Sequence, residues 1–115
     1  MSDIHIDRKV LRDLQEVMED GYLCLLETFL SDSDKRLSQL HEAKSATELG
    51  HAAHSFKGSS SNMGALALAE LCRQLEARVK QQPLYGIEDL ITQIDREYVA
   101  VRQLYAEERH RVSIG

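Results

Sequence analysis

The sequence predicts an all-α protein, an antiparallel four-helix bundle with a short N-terminal capping helix, and three observations carry that prediction. Apolar residues recur at three- and four-residue spacing through four long segments. The single proline and several of the six glycines fall between those segments. No stretch shows the alternation that a half-buried strand needs. Four amphipathic helices with short connections cannot bury their stripes alone, and packing them antiparallel buries all four together. A chain of 115 residues can bury one such core and is too short for two, so residues 1–115 are expected to form a single domain.

The first helical segment starts near Asp7, a suitable N-cap, and puts Val10, Leu11, Leu14, Val17 and Met18 on one face before Asp20 and Gly21 interrupt it. It is short and is expected to pack as a lid. The second runs from about Tyr22 to Ala43 with Leu25, Leu26, Phe29, Leu37 and Leu40 on one stripe, and "SDSDKR" in its middle reads as solvated. Ser45 and Glu48 match a capping box, in which each side chain satisfies the other residue's free backbone N–H, and so open the third segment. That segment should end near Asn62 to Gly64, which suit a left-handed stop. The fourth, about Ala65 to Gln81, aligns Leu68, Leu71, Cys72, Leu75 and Val79 until Pro83 prevents continuation. The fifth, about Tyr85 to Arg109, aligns Ile87, Leu90, Ile91, Ile94, Tyr98, Val101 and Tyr105, and leaves "EERHRVSIG" as a fraying end.

A formal charge of −5 and a pI near 5.5 argue against a nucleic-acid or anionic-membrane partner, since both need a basic face. The N-terminal "MSDIHIDRKV" lacks a signal-peptide core, and no window approaches the ~18 apolar residues of a membrane span. A cytoplasmic location is therefore expected. Cys24 and Cys72 have neither zinc-site spacing nor the density of a disulfide scaffold, and both are expected to be reduced, buried thiols.

The third segment carries the chemistry. At about 100° per residue, Leu49, Ala52, Phe56, Ser59 and Met63 share one side, with Ala53 and Ser60 at its edge. Gly50, His51, His54, Lys57, Gly58 and Ser61 collect on the other, so His54 is expected to face solvent. Gly50 and Gly58 lie four residues either side of His54, and each costs about 1 kcal/mol relative to alanine in a helix interior. Their bare backbone leaves the imidazole in a notch that another protein's surface can approach, with Lys57 supplying a movable positive charge. Such a histidine suits phosphoryl carriage: a neutral ring nitrogen is nucleophilic near pH 7, and the product's negative charge needs a cation nearby.

In "HSFKGSSSNMG", followed by "GALALAELCRQLE", the chain resembles the histidine-containing phosphotransfer (HPt) domains of bacterial and plant two-component phosphorelays. The resemblance rests on His54, Lys57, Gly58 and Gly64, with Phe56 at the family's hydrophobic position between histidine and lysine. It implies that His54 is the phosphorylated residue, that Lys57 supports the phosphoryl group and that Gly58 gives access. It also implies a phosphocarrier without kinase activity that takes the group from the aspartate of one receiver domain and passes it to another. Receiver domains of hybrid sensor kinases and response regulators are then the partners, and they supply the Mg2+, the chain needing no cofactor of its own. With neither a kinase ATP-binding region nor an attached receiver, the chain resembles the stand-alone type, expected to act as a monomer. Gly50, His51, Ser61 and Gly64 are the candidate docking residues.

Two other readings compete. A helical adaptor could bind receivers without transferring phosphate. "HAAH" could place His51 and His54 as two metal ligands, but no third ligand is apparent nearby, and no metal site is expected. "GSSSNMG" lacks the Gly-Lys-Ser/Thr ending and preceding strand of a phosphate loop. His5, His41 and His110 are given no role.

Overall fold

The structure, a computed structural model, describes residues 4–81 and 84–115. Its helices are α1 (Arg8–Met18), α2 (Tyr22–Glu42), α3 (Ala46–Asn62), α4 (Leu66–Arg78) and α5 (Ile87–Ile114), with a 3-10 turn at Glu19–Gly21 between α1 and α2. Each of the last four helices packs on two neighbours, closing a ring in the order α2, α3, α4, α5. The bundle measures 50 × 27 × 21 Å. Cross-helix bonds fix the antiparallel sense: α2 meets α5 through Tyr22 with Glu108 at one end and His41 with Asp95 at the other. The expected bundle with its capping helix is therefore present.

Local signals explain the boundaries. The Asp7 side chain accepts from Lys9 N–H at 3.0 Å, and Ser45 accepts from Glu48 N–H at 3.1 Å. The second half of the expected capping box differs, because the Ser45 hydroxyl donates to the Glu48 carboxylate at 3.4 Å. Gly64 stops α3 at φ +84°, and Gly86 precedes α5 at φ +79°. α4 ends at Arg78, three residues before the expected Gln81, and Pro83 lies outside the described residues.

Leu26, Phe29, Phe56, Leu68, Leu75, Ile94, Tyr98 and Tyr105 form the centre of the core. Phe56 meets Tyr98 edge-on across the bundle with ring centroids 5.9 Å apart, a geometry that the ring quadrupoles favour.

Several expectations are corrected. Val17 lies about 120° round the helix from the buried Leu11 and is exposed, as is Met18 where α1 gives way to the 3-10 turn. Cys24 is exposed, roughly opposite Leu26 on α2, whereas Cys72 is buried and its thiol is pushed up to about 12 by desolvation. "SDSDKR" is not a wholly solvated stretch: Ser33 follows Phe29 by one turn and is fully buried. Asp34 accepts from the Tyr98 hydroxyl at 2.6 Å and from Arg102 at 3.0 and 2.7 Å. The C-terminal "EERHRVSIG" continues α5 to Ile114 instead of fraying after Arg109, because Glu108 is buried there and pairs with the Tyr22 hydroxyl and Arg111. Arg111 also reaches Gln15 on α1 at 3.0 Å, tying the cap to the bundle. His5 and His41 have partners on α5 as well, Glu97 and Asp95, each at 2.7 Å.

The cap is seated on the α3–α4 turn. Gly64 C=O accepts from Asp7 N–H at 2.8 Å, and a Cβ on Gly64 would lie 3.0 Å from both the Asp7 carbonyl and Val10 Cβ. Gly64→Ala combines a left-handed residue with that clash, so urea unfolding should show a loss of about 1–3 kcal/mol. A change under about 0.5 kcal/mol, the size of an ordinary surface substitution, would contradict this placement.

Candidate functional site at the α3–α4 face

The turn at Met63–Ala65 folds α4 back along α3, and residues at similar distances from it lie side by side. His54 is ten residues before Gly64 and Glu76 twelve after it, which places both about 15–18 Å from the turn along their helices. The contact follows: His54 Nδ1 lies 2.8 Å from Glu76 Oε2. Lys57, one turn along α3, donates from Nζ to Glu76 Oε1 at 2.7 Å. One carboxylate therefore holds the histidine and the lysine of the expected motif, one on each oxygen.

Exposure divides their roles. The His54 side chain is 66% exposed and Glu76 only 16%, so the imidazole stands outward from a carboxylate recessed at the helix–helix seam. Hydrogen bonds from Lys57 and then His54 hold the Glu76 carboxyl below its ordinary value, against an upward push from burial. An ionised carboxylate only accepts, so the ring nitrogen facing it must carry the proton. Nδ1–H then donates to Glu76, and Nε2 is the ring nitrogen left without that partner. Lys57 is half-buried and turned in toward Glu76 rather than free beside the histidine.

The two glycines differ. A Cβ on Gly58 would meet nothing within 4 Å, so bare backbone there opens the surface beside His54. A Cβ on Gly50 would lie 3.3 Å from Val79 Cγ2, so Gly50 also lets α3 approach the end of α4, a packing role that the sequence reading did not give it. His51 and Ser61 are exposed as expected. Gly64 is buried beneath the start of α1, which corrects its expected place on the docking face. On the packed face Ser60 is fully buried and Ser59 half-buried, the reverse of the expected order.

Glu76 is the member of this cluster that the sequence reading missed. Its signal was available in the hairpin register and in its position on the flank of the Leu75 and Val79 stripe, where an acid opposite His54 has a partner to face. Among the described residues, no group of three or more His, Cys, Asp or Glu is arranged to hold a metal ion. Nor is any described helix long and apolar enough to cross a membrane.

The structure sets a recessed carboxylate beside an exposed imidazole on a four-helix bundle, and comparison with known proteins places the chain among the histidine phosphocarriers. The model of the Hpt domain matches residues 25–104, and the chain belongs to that family, whose members act as phosphocarriers in two-component phosphorelays. Among solved structures it is similar to histidine-containing phosphotransfer protein B (HptB) from Pseudomonas aeruginosa PAO1, with 50% identity and a TM-score of 0.90 over 96% of this chain and 98% of that one. No curated protein sequence gives a significant match.

The lowered Glu76 carboxyl fixes the sign of a pH effect. A depressed folded-state value adds stability above the unfolded carboxylate's ordinary ~4.3, and that stability is lost as pH falls through the lower folded-state value. Urea unfolding should show wild type exceeding Glu76→Gln in stability at pH 6, with the gap closing as pH falls below the ordinary carboxylate range and through the lowered Glu76 value. A gap that is constant or widens on acidification would contradict the ionised Glu76 clasp.

Proposed function

We propose that His54 is the phosphoacceptor of this Hpt protein. It takes a phosphoryl group from the aspartate of a hybrid kinase's receiver domain and delivers it to the aspartate of a response-regulator receiver. The observation that carries the reading is the Nδ1 contact with Glu76, which leaves Nε2 as the nucleophile.

The lone pair on Nε2 attacks phosphorus, the new N–P bond forms, and the aspartyl O–P bond breaks with its electron pair returning to the receiver's carboxylate. No proton has to leave Nε2, because it carries none. The ring becomes a phosphoimidazolium whose retained Nδ1–H points at Glu76, so the new positive charge forms beside an existing negative one. In the onward step the second receiver's carboxylate attacks phosphorus, and the N–P electrons return to Nε2.

Lys57 is close enough to the same carboxylate to shift its charge toward the phosphoryl oxygens once these arrive, and Gly58 keeps the approach clear. The magnesium that neutralises charge in transfer belongs to the receiver in this proposal. Glu76 already has Lys57 and His54 on its two oxygens, so the carrier's nearby residues offer no donor set of their own.

Incubation with a phosphorylated receiver domain should place an acid-labile, base-stable phosphoryl group on the wild-type protein and none on His54→Gln. Labelling of His54→Gln at the wild-type level would sink the assignment. Unchanged signalling by an unlabelled His54→Gln protein would point instead to an adaptor.

A further inference from the structure

Glu76 and Lys57 support His54 from one flank only. At about 100° per residue along α3, Gly50 and Lys57 fall to the α4 side of His54, and their neighbours Val79 and Glu76 on α4 agree. His51 falls about 60° to the opposite side, one turn nearer the start of the helix. It is exposed and stands between two clefts, one of about 520 Å³ that it shares with His54 and α4, and one of about 400 Å³ toward α2.

His5, His41 and His54 each hold a carboxylate at 2.7 or 2.8 Å, whereas the His51 ring has no hydrogen-bond or ion-pair partner among the described residues. The charged groups that line the two clefts with it are Arg36 and Glu42 on α2, Glu48 on α3, and Glu76 and Lys80 on α4. Arg36 is engaged with Gln39 and Asp32, Glu48 with Ser45, and Glu76 with His54 and Lys57. The ring nitrogens of His51 are therefore uncommitted beside the reacting histidine.

Geometry brings a phosphoryl group on His54 to that flank. The outward bonds of the two nitrogens of an imidazole diverge, so with Nδ1 turned to Glu76 on α4, a group on Nε2 projects away from α4. Helical side chains also lean toward the N-terminus, which carries the His54 ring back over the turn of Gly50 and His51. Residues three apart on a helix have Cβ atoms only about 5–6 Å apart, a gap that an imidazole and a phosphoryl group span. Resting on the phosphotransfer reading, we infer that His51 is a second support for the phosphoryl group, on the flank opposite Lys57. Its ring N–H donates a hydrogen bond to a phosphoryl oxygen carried on His54 Nε2. No bond to phosphorus forms at His51, and its proton stays on the ring when the group leaves for the receiver's carboxylate. Because this bond exists only in the phosphorylated carrier, it shifts the exchange equilibrium toward loaded His54.

The readout is the equilibrium constant for exchange between a purified, phosphorylated receiver domain and the carrier, because docking alters how fast that equilibrium is reached and not where it lies. Alanine is a better helix former than histidine, so His51→Ala keeps the fold. It should lower the equilibrium constant for loading His54 by about fivefold or more, and His51→Lys, which restores a cationic donor, should return it to within about twofold of wild type. A His51→Ala constant within about twofold of wild type, whether or not exchange is slowed, would overturn the inference, as would an equal loss in His51→Lys. Chemical loading with phosphoramidate separates this inference from the reading beneath it. If phosphoramidate loads His54 and no receiver of the host does, the phosphotransfer reading falls. The His51 contact is then judged by its side-chain nitrogen-15 signal, which should shift when His54 is loaded and would overturn the inference by staying in place.

Discussion

The Glu76 carboxylate reaches His54 and Lys57 together because α3 and α4 form a hairpin of one particular register and close approach. If α4 slid by a single residue, its side chains would rotate about 100°, and Glu76 would leave the seam. The turn that sets this register is stopped by Gly64 at positive φ and pinned from below by Asp7 N–H, so the lid helix is a support for the site as well as a cover for the core. Close approach at the other end of the hairpin depends on Gly50, whose missing side chain accommodates Val79. A site made of three side chains is thus held by backbone features about one turn away at Gly50 and about three turns away at Gly64.

The rest of the bundle keeps this hairpin rigid. α5 packs against both α2 and α4, and two polar pairs with hydroxyls on the buried side tie it to α2, Asp34 with Tyr98 and Glu108 with Tyr22, each extended outward by an exposed arginine of α5, Arg102 and Arg111. Burial combined with the adjacent carboxylate pushes the Tyr22 and Tyr98 hydroxyls well above the usual tyrosine range, so both remain proton donors at any physiological pH. Broken pairs of this kind leave an uncompensated polar group in the core, which makes them more demanding of geometry than apolar contacts alone. Such rigidity suits the proposed role, in which one nitrogen is presented in one direction to two different partners.

Much of this was legible in the sequence because it rests on local periodicity. The apolar stripes placed all five helices, Asp7 and Ser45 marked two starts, and Asn62 to Gly64 marked the stop of α3. The glycine-flanked face of α3 singled out His54 and Lys57 before any contact was known. What was not legible depends on tertiary pairing. Glu76 looks like any solvated acid until the hairpin register puts it opposite His54. Asp34 and Glu108 sit in charged runs that read as solvent-facing, and only their partners on other helices make them structural. Gly50 was read as clearing space for His54, whereas its tightest neighbour is Val79 on another helix. Cys24 and Val17 show the converse error, in which an apolar or weakly polar residue near a stripe is taken to lie on it.

The central claim is that Glu76 fixes which nitrogen of His54 is the nucleophile. Nitrogen-15 NMR of the histidine side chains, recorded before and after phosphorylation by a receiver, tests it most directly. The account predicts a His54 ring with the proton on Nδ1 in the resting protein and phosphorus bonded to Nε2 in the product. A resting proton on Nε2, or phosphorus on Nδ1, would contradict it.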